Sequence, residues 1–294
     1  MQGIISGIKR MEIHDGDGLR TTVFFKGCPL KCVWCHNPES ISFKPQIAFI
    51  KEKCIGCGLC TLACPSHAII KGCVDRELCQ SCGSCTEPCP VEALMLYGKT
   101  VSAEELTEIL LKDAPFWKNG NGGVTLSGGE CLAQPDFAIE VASILHSKGI
   151  SVDIDTCGYV PFSVFERILP YTDTFLYDIK AISPDVHKRC TGVSNELILK
   201  NLRLISSLGA KIEIRIPLVT GYNDGEIPEI GKFLSTVKGI SKVKILKYHS
   251  FSASRYTSLG IPCTLPDAVT RNEDIEKAVN TLNSFGLNAF NGSV

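Results

Sequence analysis

Six short stretches of β-branched and apolar residues, each bounded by turn-forming residues, mark the chain at 21–26, 123–127, 151–155, 174–179, 211–216 and 242–248. Each predicts a strand. Between most of them the apolar positions recur every three or four residues. The segment 102–111 opens with Ser102 and Glu105 at capping-box spacing and continues with Leu106, Ile109 and Leu110 on one face. Further helical patterns lie at 135–147, 161–169, 196–208, 227–237 and 272–285. Strands alternating with helices predict a parallel sheet with right-handed crossovers. A complete eightfold barrel needs two more strand–helix units, and only 287–290 offers a seventh strand. The expectation is an α/β fold, an open six-stranded (β/α)6 TIM-like partial barrel.

The segment 45–97 breaks this pattern. It is rich in Cys, Gly and Pro and contains an internal repeat, with Cys54, Cys57, Cys60, Cys64 and Pro65 in its first half and Cys79, Cys82, Cys85, Cys89 and Pro90 in its second. This C-x2-C-x2-C-x3-C-P run is the spacing of bacterial two-cluster ferredoxins, where the fourth cysteine of one run ligates the cluster held by the other. Zinc ribbons present two separated C-x2-C pairs, a poorer match to four closely spaced cysteines closed by proline. The expected organisation is a barrel formed by 1–44 and 98–294, with 45–97 inserted as a ferredoxin-like 4Fe–4S domain.

Composition adds three constraints. The chain has 294 residues, 44% apolar and 21% charged, enough for a large globular core. A net charge of -1 gives no sign of nucleic-acid or anionic-membrane partners. The first eighteen residues lack the apolar core of a signal peptide and no apolar run reaches spanning length, so the expected location is the cytoplasm. In that setting sixteen cysteines read as thiolate ligands rather than disulfides, and eleven of them fall in motifs. Cys73, Cys131, Cys157, Cys190 and Cys263 have no ligand spacing and read as small buried side chains.

The remaining three motif cysteines, Cys28, Cys32 and Cys35, form a lone C-x3-C-x2-C triplet after the first strand. Three thiolates leave one iron of a four-iron cluster open to an outside ligand. Other polar groups stand where the later strands end: Ser127-Gly128-Gly129-Glu130, Asp155-Thr156-Cys157-Gly158, Asp178-Ile179-Lys180, Arg215, and Tyr248-His249. The C-terminal strand ends of α/β barrels form the active face, so these groups predict a site on one rim. Taken singly, Gly128-Gly129 is a tight turn and Asp178 with Lys180 a surface pair.

The run Phe24–Glu39 (FFKGCPLKCVWCHNPE), with Asp15-Gly16, Gly18 and Arg20 upstream, resembles the radical S-adenosylmethionine (SAM) superfamily, and within it the activating enzymes of glycyl radical enzymes. The resemblance continues through the GGE and D-T-x-G turns, Asp178-x-Lys180 and Gly221-Tyr222-Asn223-Asp224 to Tyr248-His249, essentially the whole chain. It implies that Cys28, Cys32 and Cys35 hold a 4Fe–4S cluster that chelates SAM. Gly128, Gly129 and Glu130 would line the methionine amino group, and Lys180 would meet its carboxylate. Asp155, Asp178 and His249 would contact the ribose side or a monovalent cation, Trp34 and His36 would lie near the adenine, and Arg215 would help anchor the methionyl part or the incoming peptide.

The implied activity is reductive cleavage of SAM followed by hydrogen abstraction from a glycine Cα of a partner glycyl radical enzyme. The implied cofactors are three 4Fe–4S clusters and SAM, the implied electron donor is a flavodoxin or ferredoxin, and the chain is expected to act as a monomer. A radical SAM enzyme of small molecules and a ferredoxin-like electron carrier are the alternatives. Two residues depart from the family pattern: Asp17 replaces the usual Pro, and Cys131 follows the GGE where Pro or Ala is common, with an inert thiol expected.

Overall fold

The two-residue periodicity of the predicted strands is realised as a sheet with two chemically different faces. The computed structural model describes residues 1–70, 73–117 and 122–292. Its strands in chain order are β1 (Gln2–Glu12), β2 (Arg20–Phe25), β3 (Gln46–Phe49), β4 (Ile69–Ile70), β5 (Cys73–Val74), β6 (Leu94–Tyr97), β7 (Lys99–Ser102), β8 (Gly123–Gly128), β9 (Ser151–Thr156), β10 (Thr174–Asp178), β11 (Ile212–Leu218), β12 (Ile240–Lys247) and β13 (Ala289–Asn291). The helices are α1 (Leu59–Ala63), α2 (Ala103–Leu111), α3 (Ala114–Trp117), α4 (Pro135–Ser147), α5 (Phe162–Ile168), α6 (Pro184–Thr191), α7 (Glu196–Ser207), α8 (Ile227–Leu234), α9 (Ala253–Leu259) and α10 (Asn272–Ser284).

Nine strands form one sheet in the order β13-β12-β11-β10-β9-β8-β2-β1-β7. From β2 through β8 to β13 every neighbour is parallel, so the chain winds in one direction. The expected six parallel strands are therefore seven, with β13 at the edge. Two antiparallel strands, β1 and β7, extend the other edge and were not anticipated. In β1, glycines and charges interrupt the alternation, and β7 is only four residues long. The capping box before α2 forms as expected, with Glu105 N donating to Ser102 Oγ and Ser102 N to the Glu105 carboxylate.

On the helix side, Val124, Leu126, Val152, Ile154, Phe175, Tyr177 and their counterparts on β11 and β12 are buried in one core. Phe137 of α4 packs on Phe25 of β2 at 5.4 Å, and Tyr177 donates a 2.7 Å hydrogen bond to the Ile198 carbonyl of α7.

The opposite face is charged. Arg20, Asp153, Glu213, Arg215 and Lys244 are buried there, each within reach of an opposite charge. Arg20 lies 3.3 Å from Asp153, and Lys244 lies 3.0 Å from Glu213. The sheet curls enough for the β1–β2 connection to reach across: Asp15 meets Arg215 of β11 at 3.2 Å, and Asp17 meets Lys242 of β12 at 2.5 Å. Gly16 makes this possible, since its φ of +118° suits glycine and a Cβ there would lie 2.2 Å from Asp153 Oδ2.

Between β2 and β7 the chain leaves the sheet. Strands β3 and β6 pair antiparallel, as do β4 and β5. A small core of Ile47, Ala68, Ile69 and Leu94 includes Cys64 and Cys85. Among the described residues no helix is long and apolar enough to cross a membrane.

Candidate active site

The loop after β2 carries the triplet back over the C-terminal rim of the sheet. Its course is fixed by main-chain bonds: Gly27 N to the Ser40 carbonyl (2.8 Å), Lys31 N to Thr191 (2.8 Å) and Val33 N to Cys190 (2.9 Å). Helix α9 clamps the other side. Tyr256 donates to the Cys35 carbonyl at 2.9 Å, and Arg255 reaches Glu39 at 2.8 Å.

Cys28, Cys32 and Cys35 open into a cavity of about 250 Å³ that Trp34, His36, Gly128, Gly129, Asp155, Asp178, Lys180 and Arg215 also line. Eleven of the expected site residues thus share one cavity. At Gly128 a φ of +114° turns the chain beneath it, and a Cβ would sit 2.2 Å from Phe25 N. Lys180 bonds Asp178 at 2.6 Å. Burial works against the Lys180 ammonium, but the Asp178 carboxylate outweighs it and holds the lysine protonated. Asp155 accepts from Ser127 Oγ at 2.5 Å, and burial raises its carboxyl to about 7 despite Arg215 nearby.

Three expected residues stand differently. Arg215 does not close its strand; β11 runs on to Leu218, and Arg215 donates to the His14 carbonyl at 2.6 Å inside the charged face. Glu130 lies fully buried beneath the cavity. Its carboxylate accepts from Leu132 N (3.0 Å), Cys157 N (2.7 Å) and Thr156 Oγ1 (2.9 Å), which ties the GGE turn to the D-T-C-G turn. His249 stands at the mouth, stacked on His36 at 4.2 Å and on Phe251 at 4.5 Å.

The sequence reading passed over Cys157. It lines the cavity and its thiol contacts that of Cys28: the hydrogen bond lowers the Cys28 thiol and raises that of Cys157. Its position after Asp155-Thr156 at a strand end was the available signal. Cys131 is buried, points at the Asp155 carbonyl (3.5 Å), and has its thiol pushed well up by burial.

The residues present suit an iron–sulfur cluster and a zwitterionic ligand. Burial raises the Cys32 and Cys35 thiols, the latter to about 12, so ionisation at neutral pH needs a metal's charge. The opposing Lys180, Asp178 and Asp155 offer charges of both signs. The cysteines of 45–97 gather in two other places. Cys54, Cys57 and Cys60 share a cavity of about 210 Å³ with Cys89, and Cys79, Cys82 and Cys85 line a second with Cys64. Each holds three thiols of one run and the fourth of the other. All sixteen cysteines are free thiols.

A singly wound parallel sheet with a thiol triplet at its C-terminal rim defines a barrel-type α/β enzyme. The sequence profile of the radical SAM superfamily matches residues 22–234. The trans-4-hydroxy-L-proline dehydratase activating enzyme of Clostridioides difficile is 47% identical over 88% of each chain. The choline trimethylamine-lyase activating enzyme of Oleidesulfovibrio alaskensis is 38% identical over 88% of this chain and 87% of its own. Among solved structures, a domain of a pyruvate-formate lyase-activating enzyme from Bacteroides vulgatus superposes with a TM-score of 0.51 at 27% identity, over 58% of this chain and 99% of its own. The chain belongs to the radical SAM superfamily and, within it, to the activating enzymes of glycyl radical enzymes.

Proposed function

We propose that this enzyme installs the glycyl radical of a dehydratase of the trans-4-hydroxy-L-proline type. The observation that carries the partner is the 47% identity to that activating enzyme, against 38% for the choline trimethylamine-lyase counterpart. The reaction class, SAM cleavage and hydrogen abstraction, is that of the family.

In this reading Cys28, Cys32 and Cys35 hold the SAM-binding cluster, which with SAM supplies the one-electron cleavage and hydrogen abstraction. The protein's own residues orient and enclose. Lys180, kept protonated by Asp178, pairs with the methionine carboxylate. The Gly128-Gly129 backbone lets the amino group approach closely. Glu130 acts through Thr156 and Cys157, holding the turn on which Asp155 stands; Asp155 and Asp178 face the ribose side or a monovalent cation. Trp34 and His36, with His249 stacked over His36, border the adenine end. Arg215 anchors the β1–β2 connection that plugs the sheet from below and keeps bulk water from the cavity.

Residues 45–97 serve as a ferredoxin-type module, supported by the two mixed sets of four cysteines, and residues 1–44 and 98–294 as the barrel. The module's two clusters relay electrons from a flavodoxin or ferredoxin in the cytoplasm.

The test is anaerobic. The reconstituted, reduced enzyme is mixed with SAM and purified trans-4-hydroxy-L-proline dehydratase, and a glycyl-radical EPR doublet is expected on the dehydratase. A doublet on choline trimethylamine-lyase and none on the dehydratase would overturn the partner.

A further inference from the structure

The two halves of the cysteine repeat align position by position, and they differ on their surfaces. Ile55, Leu59 and Leu62 of the first run correspond to Gln80, Ser84 and Glu87 of the second. Both sets are exposed. Ile55 lines the cavity of the first run's cysteines yet stays 65% exposed, while Leu59 and Leu62, 43% and 86% exposed, line neither cysteine cavity. Polar residues serve at the same three positions in the second half, which removes any requirement of the repeat itself.

The two cysteine sets also lie at different depths. Strand β3 leaves the barrel at Gln46, whose side chain accepts from Lys26 Nζ at 3.0 Å. Next along the strand, Ile47 lines the cavity of Cys64, Cys79, Cys82 and Cys85. Two residues further out, Phe49 lines the cavity of Cys54, Cys57, Cys60 and Cys89. The partner strand agrees, since Leu94, paired with Phe49, lines that same outer cavity. Arg76, three residues before Cys79, bonds the Ile47 carbonyl and reaches the Ser258 carbonyl of α9 at 3.2 Å. Helix α9 in turn holds the triplet loop through Tyr256 and Arg255. The second set is therefore the inner one, joined to the triplet through α9, and the first set is the outer one.

We infer that Ile55, Leu59 and Leu62 form the docking surface for a low-potential one-electron carrier protein, which delivers its electron to the outer set, Cys54, Cys57, Cys60 and Cys89. The inference rests on the two-cluster reading of 45–97. Three apolar side chains make a contact too small for a stable complex and of the size of weak electron-transfer encounters. The glycyl radical enzyme must present its glycine at the triplet, whereas Ile55 borders the outer cysteine set, and the test separates the two partners. One electron leaves the donor's reduced cofactor and arrives at the outer set, with no bond made or broken.

The test transplants the second half's own residues, Ile55→Gln, Leu59→Ser and Leu62→Glu, and Leu62→Glu alone as the milder variant. Iron content, EPR of the reduced clusters and the rate of reduction by dithionite should match the unaltered enzyme. Stopped-flow reduction by flavodoxin hydroquinone should slow at least tenfold in the triple variant and about threefold in the single one. Unchanged flavodoxin rates would overturn the surface, and so would a loss of glycyl-radical formation that persists in enzyme already reduced by dithionite, which would assign it to the other partner. If the unaltered protein takes up only about four irons per chain instead of about twelve, the two-cluster reading itself fails.

Discussion

The triplet and the two four-cysteine runs place the same ligand in opposite settings. Cys32 and Cys35 sit at the mouth of a sheet whose inner face is charged, and burial raises both thiols. The runs sit in a shell with a small core, and their fourth cysteines are served by matching backbone donors: Ala68 N reaches Cys64 Sγ at 3.3 Å and Ala93 N reaches Cys89 Sγ at 3.2 Å. Cys82 is exposed, and its hydrogen bond with Ser84 lowers its thiol. Hydrogen bonds to sulfur and solvent exposure set cluster potentials. In the function proposed above, the runs hold and pass an electron and the triplet spends it on a bound molecule.

The largest effect that separates the two settings is Cys32→Ala. SAM cleavage should vanish while iron falls only from about twelve to about eight per chain; iron analysis with product chromatography reads both, and retained cleavage would break the comparison. Lys180→Met removes the cation opposite the triplet. It should raise the KM for SAM by about 10- to 100-fold, the worth of a charged hydrogen bond, with the iron content unchanged.

The strands were legible because most of their helix-facing positions are apolar, as Val124, Leu126, Val152 and Ile154 illustrate. The mixed membership of the two cysteine sets was legible from spacing alone. The charged inner face was not, because Asp153, Glu213 and Lys244 look like solvated strand positions until curvature closes them in. Arg215 was read as a rim residue for the same reason, since sequence shows where a strand begins more readily than how far it bends. Glu130 belongs to a recognisable motif, yet only the fold shows its carboxylate turned to Thr156 and Cys157 and away from the cavity.

Glu130→Gln sharpens that last distinction. An amide replaces one acceptor with a donor where two of the three partners, Leu132 N and Cys157 N, can only donate, so thermal unfolding should show a loss of about 1–3 kcal/mol. A change in SAM affinity without loss of stability would instead place Glu130 against the ligand.

The smallest effect concerns Asp17. Its hydrogen bond with Lys242 holds its carboxyl below the ordinary 3.8. The stabilisation is therefore complete above that pH and lost as pH falls through the lower, folded-state value. The pair is half exposed and screened, so Asp17→Asn should cost under about 0.5 kcal/mol at neutral pH and nothing in acid. Denaturation across pH measures it, and a cost that persists in acid would mean that Asp17 acts through packing.

The division of labour between triplet and runs is tested most directly by single-turnover cleavage in Cys57→Ala and Cys82→Ala enzymes that have been chemically reduced beforehand. With the triplet cluster intact by EPR, both should cleave one SAM per chain at the rate of the unaltered enzyme and fail only when electrons must come from flavodoxin. Loss of that first turnover would contradict the account, because the runs would then belong to the chemistry and not to its supply.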